Sequence, residues 1–125
     1  TLEDNPWNST ATYRPESTND LYQLDHTMGF WINITEAGVT LSVSGEVPVS
    51  TNIPLYAGWN LVGYPTLDDS INVAVALFGT GADRVETFDS GDPYLLQVLG
   101  ATYVMQPGEG YWVHVSSDTV WVVDW

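Results

Sequence analysis

The sequence predicts a mainly β domain: two pseudo-repeated antiparallel sheets packed as a sandwich or an open barrel, with one short helix near residues 70–78. Three observations point there. Several short runs alternate apolar and polar residues with a period of two, which turns one side of each run toward a core. Gly, Asn, Asp and Pro punctuate those runs at close spacing, as turns require. A stretch of sequence also recurs: residues 24–35 (LDHTMGFWINIT) return as residues 105–116 (MQPGEGYWVHVS) at an offset of 81, with Gly29 on Gly110 and Trp31 on Trp112. The register extends to Tyr22 on Tyr103 and to Val39 and Leu41 on Val120 and Val122. What repeats is a burial pattern, with no repeated acid, base or ligand. That is the signature of a unit to be stacked or displayed.

Taken in order, residues 1–20 are polar and turn-rich, with Trp7 and Tyr13 as candidate anchors onto the core. Strands are expected at 22–25 and 29–35, where Phe30, Ile32 and Ile34 alternate with Trp31, Asn33 and Thr35. Glu36, Ala37 and Gly38 make a hairpin turn into a strand at 39–44. Residues 51–56 and 59–64 are expected to pair about Ala57 and Gly58, ending at Pro65. Asp68, Asp69 and Ser70 offer N-cap oxygens, Ile71, Val75 and Phe78 share one helical face, and Gly79 stands where a left-handed C-terminal residue belongs. These features predict a helix of about two to three turns. Strands resume at 84–88 and 94–98 across the loop at 89–93, and residues 103–105, 110–116 and 119–124 complete the second copy. No Pro-, Ser- or Gly-rich linker divides the copies, so one domain over 1–125 is expected, a partial copy over about 1–50 and a fuller one over about 51–125.

Composition excludes several function classes. Sixteen Asp and Glu residues stand against Arg14 and Arg84, there is no lysine, and the formal net charge is −14. Such a surface repels phosphate, so nucleic acid and anionic lipid are not expected partners. Without lysine there is no Schiff-base chemistry, and without cysteine there are no disulfides, thiolate catalysis or Cys-ligated zinc. No apolar run is long enough to insert in a membrane as a helix. The chain opens on Thr1 without a signal-peptide pattern, which leads us to expect a segment of a longer polypeptide. Two Asn-x-Ser/Thr triplets mark Asn8 and Asn33 as candidate glycosylation sites.

Residues 55–65 (LYAGWNLVGYP) and 105–113 (MQPGEGYWV) resemble a recurring module of archaeal and bacterial cell-surface proteins, marked by a GWNL-type strand, a short helix and a PGxGYW strand. The resemblance covers residues 51–125, and residues 20–50 look like the second half of a preceding copy. Asp25, His26, Thr27 and Met28 depart from the Gln106, Pro107, Gly108 and Glu109 of the later copy, so the entry turn of the first copy is expected to differ. The resemblance implies an extracellular, β-rich, S-layer-associated or envelope-associated repeat, archaeal by its charge and its lack of lysine and cysteine. Val104 to Trp125 would be its closing hairpin.

Strand parity locates the candidate site. With Tyr111, Val113 and Val115 toward the core, Trp112 points to the other face beside His114, as Trp31 does beside Asn33. In the closing hairpins Val39, Leu41, Val120 and Val122 are expected inward, leaving Thr40, Ser42 and Ser44 outward in the first copy and Trp121, Val123 and Trp125 outward in the second. Trp31, Trp112, Trp121 and Trp125 are therefore the candidate binding or docking face, for sugar rings or for a neighbouring module. Alternatively a second sheet, the helix at 70–78 or the N-terminal segment lies over it. Asp68 with Asp69, and Asp89 with Asp92, are carboxylate pairs that lack a calcium-loop pattern; caps and turns account for both. Glu109 and Asp118 would come within glycosidase distance only if the hairpin ends converge. His26 and His114 occupy non-matching positions with no nucleophile motif. The expectation is a non-catalytic extracellular module without metal or cofactor, a rigid acidic scaffold that docks neighbouring modules or other surface proteins. The alternative is a carbohydrate-binding module using outward tryptophans.

Overall fold

The computed structural model describes residues 25–29, 35–42, 44–88, 91 and 95–125. Residues 1–24 and 30–34, and with them Asn8, Trp31 and Asn33, lie outside the described residues, as do Asp89 and Asp92. The chain is mainly β, with strands β1 (Ser50–Leu55), β2 (Gly58–Gly63), β3 (Ala82–Phe88), β4 (Leu96–Val98), β5 (Gly110–Val115) and β6 (Thr119–Asp124), and one helix, α1 (Val73–Ala76). Among the described residues two antiparallel sheets form, a two-stranded β1-β6 and a four-stranded β2-β5-β3-β4. They are packed as an open sandwich around one apolar cluster. Among the described residues the named strands of both sheets fall within 50–124, so these strands do not divide as one sheet per copy.

Alternation builds the core. In β1, Thr51, Ile53 and Leu55 turn inward while Ser50, Asn52 and Pro54 face out. In β5, Tyr111, Val113 and Val115 are fully buried, the parity that their spacing predicts. Val62, Val85, Trp121 and Val123 join the same cluster, and Tyr64, Val73, Leu77, Leu99 and Met105 close it.

Three expectations are corrected. First, neither 51–56 with 59–64 nor the two closing strands make a hairpin. Strand β1 pairs with β6, from Ser50 opposite Asp124 to Leu55 opposite Thr119, while β2 and β3 occupy the two edges of β5. With both edges of β5 taken, β6 has no place beside it, and the chain crosses to the other sheet. The two crossings lie together: Ala57 N donates to Asp118 Oδ1 at 2.8 Å. Asn60, 1% exposed, locks the first corner. Its Oδ1 accepts from Tyr56 N, and its Nδ2 donates to the carbonyls of Tyr56, Gly58 and Val113. Gly58 sits at φ 107 there, a conformation that side chains resist.

Second, the parity of β6 is the reverse of that expected. Trp121 is 1% exposed and Val123 is buried, whereas Val120 and Val122 are more than half exposed. The energetics favour this choice. Val123 offsets one of the outward valines, so the comparison reduces to an indole against an isopropyl group. Burying an indole removes roughly 200 Å² from water, about 5 kcal/mol as an upper figure, against about 2 kcal/mol for valine. Trp121 also stacks on Tyr64 at 5.9 Å and donates from Nε1 to Ala76 O at 2.6 Å. The first-copy residues that suggested the opposite parity, Val39 and Leu41, form no strand and are exposed, although Gly38 does take the positive φ of a turn.

Third, the helix is a single four-residue turn. Its N-cap is Asn72, whose Oδ1 accepts from Val75 N at 3.0 Å. Asp68 instead closes a local turn onto Ser70 N at 2.8 Å. Val73 and Leu77 form the buried side, with Val75 and Phe78 exposed. Val73 N and Ala74 N, which no helical carbonyl reaches, donate to Tyr103 O and Ala101 O. The segment is thus tied to the 101–105 strand-like stretch, and its β-branched valines gain nothing from a longer helix.

Candidate binding face

The side of the four-stranded sheet turned away from the core carries the mixed aromatic and charged chemistry. Register fixes two rows across it. Trp59 of β2, His114 of β5 and Arg84 of β3 are cross-strand neighbours, as are Leu61, Trp112, Glu86 and Val98. Neighbours in a row stand about 5 Å apart, within reach of one another's side chains. Trp59, Leu61, Trp112 and His114 are half-buried, and Glu86, beside Trp112, is buried.

The Trp59 row is organised by three contacts. The Trp59 and His114 rings meet edge to face at 5.1 Å. His114 Nδ1 lies 2.6 Å from Asp83 Oδ1. Arg84 Nε donates to Glu86 Oε1 at 2.7 Å. Because an ionised carboxylate only accepts, the imidazole proton belongs on Nδ1, which leaves Nε2 as an acceptor when the ring is neutral. Asp83 reaches His114 through an irregularity. The β3–β5 register shifts between Ala82 and Arg84, and the extra residue is Asp83. Adjacent strand residues ordinarily point to opposite faces, and a bulge suspends that rule. Asp83, Arg84, Trp59 and His114 together line an open depression of about 380 Å³.

The predicted site residues are distributed otherwise. Trp112 and His114 do face away from the core. Trp121 belongs to the core between the sheets and is withdrawn from any outward face. Trp125, half-buried, donates from Nε1 to Thr51 Oγ1 at 2.9 Å and meets the His26 ring edge-on at 6.3 Å, so it caps β1 rather than joining Trp112. Those tryptophans do not form one platform. Trp59, Asp83 and Arg84 went unrecognised as a group in the sequence. Trp59 was accessible, since it shares parity with Leu61 and opposes Asn60 and Val62; the bulge that recruits Asp83 has no sequence signal.

The carboxylates are engaged in structure. Glu109 Oε2 accepts from Tyr111 OH at 3.0 Å, and Asp118 holds the sheet corner. They stand at opposite ends of β5, a strand about 20 Å long, outside the ~5–10 Å separation of glycosidase acids. The hydroxyl of Ser70 holds the Asp68 carboxyl below its ordinary range. Burial, ahead of the charge of Asp68, pushes the Tyr64 phenol up. Among the described residues no group of three or more His, Asp or Glu gathers as a metal site, and no helix is long and apolar enough to cross a membrane. No protein-family model, curated protein or solved structure matches the chain.

Proposed function

We propose that this chain is a non-catalytic structural and interaction module of a larger cell-surface polypeptide, a rigid acidic unit that docks its neighbours through a sheet face. The observation that carries the reading is the outward face of the β1-β6 sheet. Val120 and Val122 are 53% and 56% exposed, and Pro54 of β1 stands opposite Val120. This small apolar strip lies on the β1-β6 sheet, with Asn52 opposite Val122 and the polar pair Ser50 and Asp124 at one end. It takes over the docking role expected of Trp121 and Trp125. Apolar residues bordered by polar ones are ordinary in protein contacts. The extracellular setting is supported by the lysine-free, cysteine-free acidic composition, by the Asn8 and Asn33 triplets and by the resemblance of residues 51–125 to cell-surface repeats. Archaeal origin and S-layer association belong to the same reading.

The test is sedimentation of the chain alone and of a tandem of two copies, each with and without Val122→Ser. Docking predicts association at high concentration that the substitution weakens by about tenfold, the cost of losing roughly one buried valine contact. Association that is absent, or indifferent to Val122→Ser, overturns the reading.

A further inference from the structure

We propose that the depression on the opposite sheet, formed by Trp59, Asp83, Arg84 and His114, is a binding subsite for a neutral pyranose ring. The inference goes beyond the docking role of the β1-β6 face and is independent of it.

The chemistry of the lining selects the ligand. Trp59 supplies an indole beside the depression, half-buried and steadied by a T-shaped contact with the His114 ring at 5.1 Å. An aromatic body with polar groups around it fits a sugar, whose ring presents apolar C–H bonds on its faces and hydroxyls at its edge. Around the indole stand acceptors and donors in balance. Asp83, with its side chain 57% exposed, engages His114 through Oδ1 and has Oδ2 to offer. His114 presents Nε2, an acceptor when the ring is neutral and a donor when it is protonated. Arg84 uses Nε on Glu86 and contributes its Nη donors from a side chain 54% exposed. Hydroxyls both give and accept, so a balanced set suits them better than it suits an ion. An anion would meet Asp83 and Glu86 within a chain of net charge −14, and a cation would meet Arg84.

The backbone points the same way. The bulge at Asp83 interrupts the pairing of β3 with β5, and it brings two adjacent residues to bear on one depression. A regular strand would have turned Asp83 away from Arg84. The three strands place Trp59, His114 and Arg84 in a row about 10 Å wide, the width of two strand spacings and enough to lie along a single sugar ring. The depression is open, so a chain of sugars can continue past it in either direction.

Calorimetric titration with cellotetraose, mannotetraose and an oligogalacturonide decides the matter. Saturable binding of a neutral oligosaccharide, with affinity in the millimolar range or tighter, is expected for the unaltered chain. Trp59→Ala and Asp83→Ala should each weaken it by about tenfold or more, while Phe78→Ser, on a residue 88% exposed beyond the helix, leaves it unchanged. Asp83→Ala alters an exposed side chain and so reports on binding even if Trp59→Ala lowers the melting temperature. No saturable binding of either neutral sugar, binding of the acidic oligomer alone, or binding that survives both substitutions overturns the proposal. None of these results bears on the self-association test of Val122, so the two readings fail separately.

Discussion

Asn60 shows how a single polar side chain can decide a chain path. It is 1% exposed, and its amide serves four backbone groups, at Tyr56 (twice), Gly58 and Val113. Tyr56 lies between β1 and β2, outside both ladders, and the same amide ties it to Gly58 of β2 and Val113 of β5. Leaving a buried donor or acceptor unpaired costs about 1–3 kcal/mol each. Asn60→Ala should therefore destabilise the fold by about 3 kcal/mol, read from the urea midpoint. Asn60→Asp should be at least as costly, because a carboxylate cannot donate to the three carbonyls. A loss under about 1 kcal/mol for both would mean that water replaces the amide. Asn60 was legible only as the polar residue in a GWNL run; that it faces the core rather than solvent needed the corner to be known.

Among the elements, β2 has its outer edge occupied by the segment 25–29. Met28 bridges Val62, and Gly63 N donates to Thr27 O at 3.0 Å. The approach is close on both sides. A Cβ on Gly63 would fall 2.8 Å from Met28 O, and one on Gly29 would fall 2.9 Å from Val62 O and the Leu61 side chain. Backbone oxygen does not yield as a flexible side chain does. Gly63→Ala should then lift the 25–29 segment from the edge and leave the rest of the sheet paired. In hydrogen exchange the amide at position 63 should lose protection while those of Val113 and Val115, inside the sheet, keep theirs. Equal loss throughout the sheet would show that the segment is integral to the core. The short helix teaches a related point: Val73 and Leu77 are buried by contact with the 99–105 stretch, and α1 is no longer than that contact requires.

For the molecule as a whole, burial of tyrosine predicts a loss of stability at alkaline pH. Burial raises the Tyr111 phenol well above its ordinary 10.0, although the N–H of Gln106 opposes the shift, and Tyr64 and Tyr103 are raised for the same main cause. A raised phenol keeps its proton in the folded chain while the unfolded chain releases it. Its contribution is thus intact below about pH 10 and is lost as pH climbs from there toward the folded value. The urea midpoint should fall steeply above about pH 10, and Tyr111→Phe should flatten that decline while costing about 1 kcal/mol at neutral pH through the lost bonds to Gln106 and Glu109. An unchanged alkaline slope would assign the loss to other groups. By itself the sequence determined the class, two antiparallel sheets with one short helix, along with the inward set Tyr111, Val113 and Val115 and the outward Trp112, because period-two alternation is a local property of each strand. Long-range packing settles which strands pair, which face of β6 is buried and which residues share the open depression. Those depend on β5 having both edges filled, on an indole outweighing an isopropyl group, and on a bulge at Asp83, and none of the three is encoded within a single run of residues.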